Sequence, residues 1–205
     1  MFLNFSRHVA LIAAIASIFA IAPLKATPIT GSPFTGFVSP DVSIDFEAGA
    51  IADNVFITTQ FSGVNFTGGA WGMTTSSFGQ NAVARHLRNL GGGSPTAILF
   101  DNNVTDAGFN WQTNTGTTTF SAFLDNVFVE DFTVATNTSN PNNFFGFENS
   151  LFDEIRISIN ILPQGFELDN LQFNSEASEA SEPGTLAVFG LGLLGIGYIR
   201  RRKAV

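Results

Sequence analysis

Between Val42 and Phe173 the hydrophobic positions recur in short runs separated by Gly, Asn, Asp, Ser and Pro. The clearest run is EIRISINI, residues 154–161. Ile155, Ile157, Ile159 and Ile161 alternate there with Arg156, Ser158 and Asn160. A period of two puts the isoleucines on one face, so the run predicts a half-buried strand. Further strands are expected at VSIDFE (42–47), NVFITTQF (54–61), GVNF (63–66), TAILF (96–100) and GFNWQ (108–112). TTTFSAFL (117–124), NVFVEDFTVA (126–135), FFGFE (144–148) and GFELDNLQF (165–173) complete the set. Many short strands with turn signals between them predict an all-β fold, a jelly-roll-type β-sandwich over residues 41–174.

Two features interrupt this pattern. In GFELDNLQF, Phe166 and Leu168 share one parity, whereas Leu171 and Phe173 share the other. The phase changes at Asp169-Asn170, which predicts a β-bulge. Residues 68–95 are rich in glycine and are expected to form a long surface loop, or a short helix from Gln80 to Leu90 ended by Gly91. Asp-Asn pairs occur at 53–54, 101–102, 125–126 and 169–170 without a fixed period, and the first three are read as turns.

The flanks are not part of the domain. Residues 1–26 begin with Arg7 and His8, continue with the apolar run Val9–Ala22 and end in PLKA. That order predicts a secretory signal peptide, helical in its apolar part. Cleavage is expected after Ala26, because Pro23 would hinder a cut after Ala22. Residues 27–40 read as an extended lead-in. Residues 175–182 are small and acidic and read as a solvated linker.

Composition narrows the chemistry. There is no cysteine, so disulfides, thiolate metal sites and cysteine nucleophiles are excluded. All 17 carboxylates lie between Asp41 and Glu182, where only Arg85, Arg88 and Arg156 oppose them, a net charge of −14. A strongly acidic domain repels nucleic acid and anionic membranes. His86, flanked by arginines in ARHLRN, reads as a solvated surface residue. No G-x-S-x-G, H-E-x-x-H or P-loop is present. Paired carboxylates would suit glycoside hydrolysis, with Asp45 and Glu47 on one strand face and Asp125, Glu130, Asp131, Asp153 and Glu154 elsewhere. A structural Ca²⁺ is the metal expectation. Asp45 and Glu47 point outward, and a bulge would turn the Asp169 carboxylate and nearby carbonyls towards a hard cation. Trp71, in the glycine-rich GGAWGM, is the candidate sugar-stacking platform. Trp111, between Phe109 and Thr113, is expected in the core.

The C-terminal stretch SEPGTLAVFGLGLLGIGYIRRRKAV contains Gly190, Gly192 and Gly195 in a G-x-G-x-x-G spacing. A dinucleotide loop needs a preceding strand, a following helix and an acid about 20 residues on, and the residues after Gly195, IGYIRRRKAV, contain no acid. The apolar run 185–199 instead predicts a short transmembrane helix. The bases Arg200, Arg201, Arg202 and Lys203 hold its end in the cytoplasm. Ser181-Glu182-Pro183, the Gly/Leu-rich helix and the arginine-rich end together resemble the PEP-CTERM sorting signal, over residues 181–204. In that signal a Pro normally stands where this chain has Ser181. The resemblance implies recognition at Ser181, Glu182, Pro183 and Arg200–Arg202. It also implies processing by an exosortase after removal of the leader by signal peptidase. The C-terminal helix would hold the precursor briefly in the inner membrane, and the product would go to the cell surface or extracellular matrix. IDFE, FFGFENSLFDEIRISI and GFELDNLQF are similar to lectin-like jelly rolls attached to such tails.

These readings predict a non-enzymatic exported protein that binds, or is part of, an extracellular polysaccharide matrix. Two alternatives stay open: a glycoside-active enzyme using paired carboxylates, and a structural adhesin without a small ligand.

Overall fold

A computed structural model describes residues 25–33, 36–47, 51–77, 84–89, 95–160 and 165–176. Among the described residues there are eleven strands and no helix. They are β1 (Thr27–Ser32), β2 (Val42–Ile44), β3 (Val64–Thr67), β4 (Trp71–Thr74), β5 (His86–Asn89) and β6 (Thr96–Thr113). β7 (Gly116–Leu124), β8 (Val127–Thr136), β9 (Phe144–Glu148), β10 (Phe152–Asn160) and β11 (Phe166–Ser175) follow. The all-β expectation holds. The expected signal helix and C-terminal helix fall outside the described residues, apart from Lys25 and Ala26 at the end of the leader.

Hydrogen bonding joins all eleven strands into one antiparallel sheet, with the path β4-β5-β11-β6-β10-β7-β8. β6 organises it. TAILF and GFNWQ, expected as two strands, are two ends of this single 18-residue strand. Its first half pairs with β3 on one edge and β10 on the other. Its second half pairs with β11 and β9. Register slips between Phe152 and Glu154 and between Asn174 and Ser175 mark the change of partners.

Ring contacts bring two stretches of the sheet's inner face together, as in a sandwich. Phe109 and Trp111 of β6 lie 5.8 and 5.9 Å from Phe120 of β7, and Phe132 of β8 lies 5.2 Å from Phe147 of β9. Phe100 of β6 meets Phe173 of β11 at 5.1 Å. The abundant Phe therefore supplies the core by edge and offset packing, the arrangement aromatic quadrupoles favour. β10 behaves as its period predicts: Ile155, Ile157 and Ile159 are buried. Ile161 falls outside the described residues.

Departures are local. Residues 54–61 form no strand, only a bridge from Phe56 to Gly72 and backbone bonds such as Ile57 N–H to the Trp71 carbonyl at 2.9 Å. The lead-in contributes β1, which pairs with β9. The segment 68–95 supplies β4 and β5, so the expected helix over 80–90 is corrected at 86–89, where the chain is a strand paired to both β4 and β11.

Candidate functional site

Among the described residues, the β7–β8 hairpin carries an exposed aromatic, Phe128, beside a cavity. Its turn is Asp125-Asn126, with φ of 50° and 64°. Two successive left-handed residues form a primed turn, whose twist matches that of the strands, and Asp and Asn tolerate it best after Gly. The turn leads directly into Val127 and Phe128, 67% and 54% exposed. One extra β8 residue, Val129, intervenes where Ala122 faces Glu130 but Phe123 faces Phe128. That bulge re-aims the hairpin end. Beneath it lies a groove of about 730 Å³, with Leu124, Val129 and Leu151 as apolar lining. Asp125, Ser150 and Lys25 are the polar residues of its lining. A second cavity of about 450 Å³ shares Ser150 and Leu151 and adds Thr105, Asp106 and Asn149.

The hairpin is held from β10. Arg156 lies over the Phe123 ring, 3.8 Å from its centroid, and donates to Glu154 at 2.9 and 2.7 Å and to Asn126 Oδ1 at 3.0 Å. The Glu154 carboxylate pushes the Arg156 pKa up, chiefly through those hydrogen bonds. Asp125 N–H donates to Asp153 Oδ2 at 3.1 Å. On the groove side, Lys25 Nζ stands 2.8 Å from Glu130 Oε2. That hydrogen bond holds the Glu130 carboxyl below its usual range and raises the Lys25 ammonium.

A second polar constellation is largely buried, with Ser77 at its exposed end. Glu167 of β11 and His86 of β5 are both fully buried, with Nε2 3.4 Å from Oε1. Ser77 Oγ donates to Glu167 Oε2 at 2.8 Å, and Gln112 Nε2 donates to the same oxygen. The expectation of a solvated His86 is therefore corrected. Pairing of Leu168 with Leu87 fixes β5 beside β11 and turns His86 into the protein. The serine hydroxyl is committed to the carboxylate rather than to the imidazole. The set thus lacks the serine-to-histidine hydrogen bond that activates a nucleophile.

The expected site residues disperse. Trp71 is 1% exposed, 5.1 Å from Phe66 and 4.8 Å from Phe166, with its Nε1 donating to the Thr67 carbonyl. It is a core residue and no sugar platform, because β4 is paired on one edge and bridged by Phe56 on the other. Trp111 is in the core as expected. The bulge at Asp169-Asn170 is present: the pairing steps three residues along β11 for two along β6, and Asn170 has φ of 50°. The Asp169 carboxylate is buried and accepts the Asn170 N–H at 2.8 Å. Asp45 accepts the Glu47 N–H at 3.0 Å, and Glu47 accepts the Arg85 N–H at 2.8 Å. Among the described residues no three His, Asp or Glu side chains gather as a metal-binding group, so Asp45, Glu47 and Asp169 do not form one. Of the Asp-Asn pairs expected as turns, 53–54 and 125–126 place Asn in left-handed backbone, but 101–102 lies within β6.

Ser181, Glu182, Pro183 and Arg200–Arg202 lie outside the described residues, as does the expected membrane segment 185–199. No described helix is long and apolar enough to cross a membrane. No curated protein matches the chain. Residues 179–203 match the PEP-CTERM protein-sorting motif. The motif encloses the Ser181-Glu182-Pro183 signature, the apolar run and the basic end. The chain thus carries the PEP-CTERM tag that marks an exported, surface-directed protein for processing by an exosortase.

Proposed function

We propose that the exported β-domain, read as a jelly-roll-type sandwich, binds polysaccharide of the extracellular matrix without cleaving it. The observation that carries this reading is the groove under the β7–β8 hairpin. An exposed Phe128 edges an apolar bed of about 730 Å³ that Asp125 and Ser150 also line. Sugar rings offer apolar C–H faces to an aromatic surface and hydroxyl donors to carboxylates, and small-ligand sites share this mix of apolar lining and few polar anchors. Phe128 takes the role first expected of Trp71. In this reading Ca²⁺ has no role in the groove.

The test is binding to a panel of bacterial exopolysaccharides. Phe128→Ala is expected to lower affinity at least ten-fold. Phe56→Ala, at another exposed aromatic, is expected to leave it unchanged. Equal binding by Phe128→Ala and the parent would overturn the assignment, and release of reducing sugar from any polymer would replace it with the glycosidase reading.

A further inference from the structure

The groove contains a residue that the mature protein is not expected to keep. Lys25 lines it and places its ammonium 2.8 Å from Glu130 Oε2, with Asp131 adding to the attraction. Yet Lys25 precedes the expected cleavage point after Ala26. Hydrolysis of the Ala26–Thr27 peptide bond consumes one water and leaves a carboxylate on Ala26 and an ammonium on Thr27. Lys25 departs with the leader. Glu130, which faces Ala122 of β7 and whose side chain is 12% exposed with Lys25 in place, then loses that cationic partner. Arg156 does not replace it, since Glu154 and Asn126 already hold that guanidinium. A carboxylate left without its cation beside an apolar bed favours a cation that brings apolar surface with it.

We propose that the groove takes a hexosamine unit bearing a free primary ammonium, and that Lys25 holds the ammonium position until the leader is removed. The inference rests on the glycan reading above and names its sugar class. The amine sits on Glu130, the pyranose face lies towards Phe128, and hydroxyls reach Asp125 and Ser150. The precursor is self-blocked, so binding begins only after export.

The experiment uses two detergent-solubilised chains, Thr27–Val205 and Lys25–Val205, titrated with glucosamine oligomers and with the same oligomers N-acetylated. The Thr27 chain is expected to prefer the free-amine oligomer at least ten-fold. The Lys25 chain is expected to lose that preference, and Lys25→Met within it to recover most of it. Glu130→Gln in the Thr27 chain should abolish the preference while binding of the acetylated oligomer persists. Equal affinity of the Thr27 chain for both oligomers overturns the amine assignment and leaves the glycan reading standing. No binding of either oligomer or of any polymer in the panel overturns both. Tighter binding of a lysine-rich peptide than of the free-amine oligomer assigns the site to a protein partner and also overturns the proposal.

Discussion

Glu167 concentrates the buried polar chemistry of the domain on one carboxylate. Ser77 and Gln112 donate to Oε2, and His86 approaches Oε1. Glu167→Ala removes an acceptor from the buried Gln112 amide and from the exposed Ser77 hydroxyl and takes the carboxylate away from the buried His86, and losing a buried polar partner of this kind costs about 1–3 kcal/mol for each buried group. A loss of about 3–5 kcal/mol is expected, read as a lower urea midpoint; Glu167→Gln should lose less because it keeps an acceptor. The Lys25–Glu130 pair predicts a pH effect. Glu130 is held below the usual carboxylate range, so its contribution is present above that range and lost as pH falls through its folded value. Lys25 is raised, so its contribution is present below the usual ammonium range and lost as pH rises through its folded value. The Lys25–Val205 chain should therefore show a small extra melting stability in the window between, absent from Thr27–Val205 and from Lys25→Met. None of this was legible locally. ARHLRN looks solvated because nothing in six residues shows that β5 will lie against a strand some eighty positions away. Trp71 looked exposed for the same reason: its glycine neighbours suggest a loop, and its burial comes from Phe66 and Phe166.

At the scale of elements, β9 crosses β6 with no room for a side chain. A Cβ on Gly146 would sit 1.9 Å from the Ala107 carbonyl oxygen and 2.7 Å from Gly108 Cα. Both are backbone atoms of the neighbouring strand, so the strands themselves must part. Gly146→Ala is expected to destabilise by about 3 kcal/mol or more, towards the upper end for overpacking. Gly108→Ala meets the Phe144 ring edge at 2.6 Å instead, which a side-chain rotation relieves. Its cost should be clearly smaller in the same denaturation assay. Elements with a local signature were readable in advance. The isoleucine alternation placed β10, and the parity change placed the β11 bulge at its residue. The union of TAILF and GFNWQ into β6 was not readable, because DNNVTDA between them resembles a turn. Only pairing with β10 and β11 on either side keeps it extended. The groove escaped notice because it needs the β7–β8 hairpin and residues 150–151 together.

For the whole molecule, the sorting tag and the β-domain make separate predictions. Deleting Ser181–Val205 should move the protein from the envelope fraction to the medium of its native cells; unchanged retention would sink the sorting assignment. The tag was the most legible part of the chain, since a sorting signal is read as linear sequence by an enzyme. The proposed ligand-binding surface is a product of folding and was legible only as an acidic, aromatic β-domain.

The position of β11 has a consequence for the order of events during export. The strand completed last in synthesis runs through the middle of the sheet, between β6 on one side and β2 and β5 on the other. Until it arrives, the second half of β6 has an open edge, and the Leu168, Leu171 and Phe173 positions of the core are empty. Long-range pairing of this kind must also wait for loop closure over much of the chain. A sheet with this connectivity can close only once the chain through Ser175 is available. A chain arrested before Phe166 should stay protease-sensitive, and one arrested after Glu176 should become resistant. The sorting motif begins at residue 179, four positions after the last residue of β11, so closure of the sheet and completion of the tag are neighbouring steps along the chain.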